Sequence, residues 1–452
     1  MFGIDQSVKI YLEVTTDLLL LLDRKEKFRM ISRDFYLNQI INSMWDGQIK
    51  VITGLRRVGK SVLLFDLFKE YLINKEVKED QIITLSLDQR KYYKYRNPIT
   101  LCDYVESLIT DTNKEYYLFI DEVQFSRTVI DEENDNIPVT IYDMLNELKS
   151  YKNLDVYVTG SNSKMLSSDI MTEFRGRSTQ IRVYPLSFEE YYSFYGGDKK
   201  ECLEQYLLYG GMPHVLSFKD EVAKKKYLSS LYDEVYIKDI IERNKIERVD
   251  ILEQILDYLS SQISSLTNPT KVANAISDAR KETIDSNLVS GYINHSVDAF
   301  LVSIAKRYDI KGKSYFKYPN KYYFSDLGLR NARLNFRQYD PGHLIENAIY
   351  NDLIRRGYFV DVGVVNDRRN GKNALKEIDF VVNDGDRRIY IQSALRMEDE
   401  KKLESELDSL KLTNDFFKKI IVRNDINHNF YDDNGFYHCS LVNFLLNEVD
   451  LF

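Results

Sequence analysis

The stretch from Gly54 to Ser61 constrains this chain more than any other and reads G-L-R-R-V-G-K-S. A short apolar run, Ile49-Lys50-Val51-Ile52, precedes it, and Val62-Leu63-Leu64-Phe65 opens an amphipathic helix after it. Strand, glycine-rich turn and helix start in that order commit the segment to a parallel α/β layer. The glycines let backbone N–H groups wrap a polyphosphate, and the helix adds its positive end. Gly54, Arg57, Val58, Gly59, Lys60, Ser61 and Val62 are therefore the expected nucleotide-binding residues. Lys60 would reach the β- and γ-phosphates, and the Ser61 hydroxyl would ligate Mg²⁺. ATP and Mg²⁺ are the expected cofactors.

A second strand supplies acids. Tyr116-Tyr117-Leu118-Phe119-Ile120 is apolar throughout, as suits a strand buried on both faces, and it ends in Asp121-Glu122. At the carboxyl end of a central strand these acids face the crevice that holds the phosphate loop. Asp121 is placed to hold Mg²⁺ and Glu122 to polarise the attacking water. A third strand, Val156 to Thr159, runs into Gly160-Ser161-Asn162-Ser163, where Ser161 could contact the γ-phosphate or the lytic water. The same residues are also ordinary turn chemistry. Phe174-Arg175-Gly176-Arg177-Ser178 precedes a further strand, Gln180 to Val183. Arg177, and less readily Arg175, is a candidate arginine finger, the alternative being a solvated surface charge. The expected catalytic set is Lys60, Glu122 and Arg177.

At 452 residues the chain has room for about three domains. Apolar runs such as Leu18 to Leu22 are too short to span a bilayer, and the N-terminus lacks the plan of a signal peptide. The three cysteines and five histidines are scattered without metal spacing, which fits a reducing cytoplasm and no zinc site. A net charge of −8 argues against a chain-wide grip on DNA but permits a local basic patch.

Strand and helix alternate up to Val183, which predicts a doubly wound parallel sheet. Within it lie a helix at Phe35–Trp45, a strand at Ile82–Leu87, a loop at Asp88–Asn97 and a helix at Thr100–Asp111. The acidic insertion Asp131–Pro138 reads as a surface loop. Residues 1–184 are thus the expected nucleotide-binding core and 185–250 a helical lid or linker. In 251–339, helices Lys271–Ala279 and Ser286–Tyr308 precede two short strands, Ser314–Tyr318 and Lys321–Phe324, which is the plan of a winged helix, the alternative being a helical lid packed on the nucleotide-binding core. Residues 340–452 form a further αβ unit, with a helix at Leu344–Arg355 and strands at Phe359–Val365, Glu377–Val382 and Arg388–Gln392.

Together, G-L-R-R-V-G-K-S, L-F-I-D-E-V-Q, V-T-G-S-N and F-R-G-R-S followed by Y-P-L-S-F-E-E-Y resemble AAA-type prokaryotic ATPases with a C-terminal domain of unknown function. The resemblance continues through Tyr209-Gly210-Gly211-Met212-Pro213, Lys238-Asp239-Ile240, Lys321 to Leu329 and His343 to Asn347, so it covers most of the chain. It implies a P-loop ATPase core, a winged-helix middle and a restriction-endonuclease-like terminal domain similar to PD-(D/E)xK nucleases. The last departs from the nuclease pattern. Glu346 and Asp379 are present, but Gln392 stands for the second acid and Ala394 for the lysine, and Lys372 or Lys376 could reach in from another strand. The expected function is a Mg²⁺-dependent ATPase whose nucleotide state repositions the winged-helix and nuclease-like half. The alternatives are a slow nucleotide-gated DNA-binding switch and an ATP-gated nuclease. The expected partners are ATP, DNA through the winged-helix region, and a homo-oligomer or protein partner, with no membrane.

Overall fold

Five strands build a parallel sheet, seen in a computed structural model that describes residues 30–131, 136–161, 178–367, 369, 374–395 and 407–452. Its strands are β1 (Ile49–Thr53), β2 (Ile82–Ser86) and β3 (Tyr116–Asp121), then β6 (Leu154–Thr159) and β7 (Ser178–Arg182), with a small hairpin of β4 (Val129–Asp131) and β5 (Ile137–Val139) between them. The order is β2-β3-β6-β1-β7, every pairing is parallel, and β1, β3 and β6 are buried along their whole length. Burial on both faces explains their largely apolar character. A buried ion pair crosses two of them. The Lys50 ammonium lies 2.5 Å from Asp155 and 2.9 Å from Asp46, and Tyr157 donates to the second Asp155 oxygen at 2.6 Å. Pairing of this kind is what makes a buried lysine tolerable.

Crossover helices begin where capping side chains allow. Asn97 accepts the amide of Ile99 at 3.0 Å and starts the helix Pro98–Leu108, two residues before the expected Thr100. Thr140 and Asp143 cap the helix Ile141–Leu148 reciprocally. The expected loop at Asp88–Asn97 contains a 3₁₀ segment, Arg90–Arg96, pinned by buried Tyr95. The expected surface loop at Asp131–Pro138 is entered and left by the paired strands β4 and β5.

Helices follow at Phe188–Tyr195, Lys199–Tyr209 and Glu221–Asn244, the last with a π-helical stretch at Leu231–Ile237. Three more follow at Val249–Ser261, Pro269–Arg280 and Ser286–Asp298. The third was expected to reach Tyr308 and does not. Phe300 takes a positive φ of 58°, and the Leu301 amide returns to the Ser296 carbonyl at 3.0 Å, closing the helix. Val302–Asp309 is instead strand β8, and it pairs with a single long strand β9 (Ser314–Phe324) where two short ones were expected. Thr267 bridges Asn320 on the outer side of β9.

The remaining strands are β10 (Phe359–Asp367), β11 (Ala374–Asp384), β12 (Arg387–Ala394), β13 (Lys418–Arg423), β14 (Phe430–Tyr431) and β15 (Tyr437–Ser440). They join β8 and β9 in one mixed sheet of order β14-β15-β13-β12-β11-β10-β8-β9. The hairpin of residues 302–324 is thus continuous with the sheet formed after residue 340. No helix among the described residues is long and apolar enough to cross a membrane.

The two halves meet at a glycine joint. The Asp326 carboxylate accepts the amides of Gly211 at 2.7 Å and Leu329 at 2.9 Å. A Cβ on Gly210 would strike that carboxylate, and one on Gly328 would strike the Tyr209 carbonyl. Gly328→Ala is expected to cost about 1–3 kcal/mol in urea unfolding, as a clash with backbone that cannot swing aside. Gly291→Ala, in a helix with open space around it, should instead add roughly 0.5–1 kcal/mol.

Candidate functional site

The loop after β1 is shaped by residues that only this backbone path accepts. Gly54 has φ 139°, and a Cβ there would run into the Val183 carbonyl beside β7. Arg57 at φ 62° and Gly59 at φ 93° turn the loop back over the start of the helix that begins at Lys60. The helix runs on to Asn74 through a π-helical stretch, Leu63–Phe68. Val58 is buried in the core and anchors the loop. Val62 is largely exposed, so its expected contribution is its backbone. Lys60 folds into its own loop and donates to the carbonyls of Leu55 at 2.8 Å and Gly54 at 3.0 Å. Burial pulls its ammonium down to about 8, against the opposing pull of Glu122 and Asp121.

Strand order brings the acids to this loop. β6 lies between β1 and β3, so its tip residues Thr159 and Ser161 stand between the phosphate loop and Asp121-Glu122. Ser61 donates to Asp121 at 2.8 and 3.0 Å, and the Thr159 hydroxyl donates to the same carboxylate. Burial raises the Asp121 pKa, against those two hydroxyl donors. A serine hydroxyl beside a carboxylate is a hard oxygen pair of the kind Mg²⁺ prefers. Glu122 takes φ 54° and its amide donates to Thr159 at 3.1 Å. Its carboxylate accepts from Gln124 and, at 3.4 Å, from Ser161.

Two arginines that the sequence reading did not single out complete the cluster. Arg243, on the helix segment Lys238–Asn244, donates to the Ser161 hydroxyl at 3.2 Å and to its carbonyl at 3.4 Å. Arg56, inside the phosphate loop, reaches the same hydroxyl at 3.3 Å. Asp239 holds both guanidinium groups, at 3.0 and 3.4 Å. The pairing of Asp239 with Arg243 at helical i,i+4 spacing is readable in sequence. Its aim at a serine 82 positions away is not. Arg177 and Arg175, like Asn162 and Ser163, lie outside the described residues.

A second polar cluster occupies the other sheet. Lys321 on β9 is buried with its ammonium 2.7 Å from Glu346, 2.7 Å from Glu377 and 3.5 Å from Asp379. Tyr323 also donates to Glu346, at 2.7 Å. Burial alone would pull Lys321 down, but the three carboxylates hold it well above its ordinary value. Burial pushes Glu346 up to about 8 in spite of the lysine. The second Asp379 oxygen accepts from the Ser393 amide and hydroxyl at 2.9 and 2.7 Å, and Gln392 accepts the Asp379 amide at 3.2 Å. The lysine that reaches these acids is therefore Lys321. Lys376 pairs with Asp408 instead, and Lys372 lies outside the described residues.

The chain is similar to several known proteins. Residues 46–192 match the model of an AAA domain, and residues 200–340 match a domain of unknown function. An uncharacterized protein of Haemophilus influenzae is 32% identical over 398 residues, covering 87% of this chain and 93% of that protein. An uncharacterized protein of Methanocaldococcus jannaschii is 26% identical over 426 residues, covering 89% and 87%. Among solved structures, the Walker-type ATPase PABY2304 of Pyrococcus abyssi superposes with a TM-score of 0.47 at 15% identity, covering 68% of this chain and 96% of that one.

Lys321→Met would leave buried carboxylates without their cation and is expected to cost about 3–5 kcal/mol at pH 7 in urea unfolding. Carboxyl groups with raised folded pKa values stabilise when protonated and lose that contribution as pH rises through the folded value. The variant should therefore regain part of its stability at pH 5.

Proposed function

Because the chain belongs to the AAA-type P-loop ATPase family, we propose that it hydrolyses ATP with Mg²⁺ and passes its nucleotide state to the C-terminal half. The observation that carries this reading is Glu122, held beside the Ser61–Asp121 pair and the buried Lys60. Ser61 and Asp121 would hold Mg²⁺, which neutralises phosphate charge when bound. Lys60 exchanges the Gly54 and Leu55 carbonyls for the β- and γ-phosphates. Glu122 accepts the proton of the water that attacks the γ-phosphorus as the bond to the β-phosphate oxygen breaks. Ser161 positions that water or the γ-phosphate, and Arg243 brings a cation to it within one protomer. Arg177 remains the candidate finger for a neighbouring protomer's site in a homo-oligomer.

A second reading, a slow nucleotide-gated DNA-binding switch, is favoured by one contact. Gln124 donates to the Glu122 carboxylate, a bond that would compete with an attacking water for the base until it is released. The three helices of residues 249–298, the β8–β9 hairpin and the Thr267–Asn320 bridge support reading 251–339 as a winged helix with DNA as its partner. For 340–452, Gln392, Ala394 and the ion-paired Lys321 support a nuclease-like fold without cleavage, kept as an assembly or recognition module.

Steady-state ATPase assays test the core of this reading. Lys60→Ala should lose most Mg-ATP affinity. Glu122→Gln should bind ATP as wild type does but turn over on the order of 10²–10⁴-fold more slowly. An unchanged rate for Glu122→Gln would remove the assignment. Arg243→Ala should lower kcat at every protein concentration, whereas Arg177→Ala should matter only where activity per protomer rises with concentration. Bound phosphates would restore the Lys60 pKa, so ATP binding should take up protons near pH 8. Calorimetry in buffers of different ionisation heat should record that uptake, with affinity level below pH 8 and falling above it.

A further inference from the structure

A basic ribbon lies at the β8–β9 edge of the mixed sheet, in a chain whose net charge is −8. The β8–β9 turn and the start of β9, Lys311 to Tyr318, carry Lys311, Lys313 and Lys317 and no acidic residue, and Lys306 faces outward on β8. All four lysines are exposed. Tyr315 is 59% and Tyr318 39% exposed. The acids nearest the ribbon are already engaged. Asp309 accepts the amides of Lys311 at 3.1 Å and Gly312 at 2.9 Å, and Asp361 accepts the Tyr315 hydroxyl at 2.9 Å.

The helix Ser286–Asp298 leads directly into this hairpin. Its buried face is Val289, Tyr292, Ile293 and Ser296. At the same helical spacing the opposite face offers Asn287 and Asn294, both exposed, with partly exposed Ser290 and Gly291 between them. From Asn287 to Asn294 that face is small, uncharged and able both to donate and to accept hydrogen bonds, with Asp298 one turn further on.

We propose that this helix face and the lysine ribbon together dock on duplex DNA, the helix at the base edges of the major groove and the lysines on the flanking phosphates. The inference rests on the winged-helix reading of residues 251–339 and says which side chains make the contact. Amide and hydroxyl side chains match the mixed donor and acceptor edges of base pairs. Exposed ammonium groups match phosphates, which position a protein without reading sequence. An acidic protein would satisfy the lysines but would leave the Asn287–Asn294 face without a purpose. A single strand would use the tyrosines for stacking and would likewise leave that helix idle.

The test is fluorescence anisotropy with the full-length protein and a labelled mixed-sequence duplex of about 30 base pairs, over roughly 50 to 200 mM salt. Each lysine on a phosphate contributes about 0.9 to the slope of log K against log salt. The Lys311→Ala, Lys313→Ala, Lys317→Ala triple variant should therefore show a slope shallower by about 2–3 and bind at least roughly ten-fold more weakly at the low-salt end. Asn287→Ala with Asn294→Ala should weaken binding with the salt slope unchanged. Unaltered circular dichroism melting separates these losses from misfolding. Duplex binding by wild type with an unchanged triple variant would overturn the ribbon assignment and leave the winged-helix reading standing. No duplex binding by wild type at the lowest salt would overturn both. Tighter binding of a single strand of the same length would overturn the duplex assignment alone.

Discussion

The Asp326 carboxylate is the contact through which the two sheets share one structure. It takes amides from Gly211, in the helical segment after the parallel sheet, and from Leu329, just past β9. Backbones approach so closely there that Gly210, Gly211 and Gly328 have no room for a side chain. Burial pushes Asp326 up to about 6, although the amides of Leu329, Gly211 and Gly328 pull the other way. Around this knot, Asn331 donates to the carbonyls of Leu207 and Leu208, and buried Arg330 ties Ser260 to Gln338. A hydrogen-bonded joint with no slack transmits displacement instead of absorbing it.

That joint continues toward the phosphate loop. The Leu186 amide donates to the Gly211 carbonyl at 2.7 Å, and Val183, three residues earlier, presses on Gly54. Tyr236 donates to the Arg56 carbonyl at 2.8 Å from the long helical segment that also carries Arg243. Two independent routes therefore lead from the nucleotide loop to the second half of the chain, one through backbone packing and one through Tyr236 and Arg243. Lys60 is the element with two sets of partners, since the carbonyls that hold it here would compete with phosphate oxygens for the same ammonium. In energetic terms the device is a choice between two hydrogen-bond sets.

Lys321 plays for the mixed sheet the part that Lys50 plays for the parallel one. Each is a buried ammonium on a strand, and each is surrounded by carboxylates from other elements. Such pairs add little net stability compared with apolar packing but penalise any arrangement that separates them. Because Lys321 comes from β9 and its acids from the helix Pro341–Arg355 and β11, the pairing also sets how the hairpin meets the strands that follow it.

The phosphate loop, the acidic strand end and the alternation that builds a parallel sheet were legible because their signals are local. Glycine spacing, apolar runs and caps act over a few residues and need no partner far away. Where sequence reasoning failed, the deciding contacts were distant. Val302–Asp309 has an apolar content that suits either helix or strand, and the left-handed turn at Phe300 with pairing to β9 decided for strand. The short strands β13, β14 and β15 carry too little pattern to be seen without their neighbours. Gln392 and Ala394 could be read as a departure from nuclease chemistry, but only folding shows Lys321 filling the acidic cluster from another strand. The sequence by itself thus determined the strand, the glycine-rich loop and the helix start on which the polyphosphate reading rests, because that pattern is written into consecutive residues. Tertiary structure alone decided that Arg243, Arg56 and Thr159 surround it, because strand order and helix docking are set by burial summed over the whole chain.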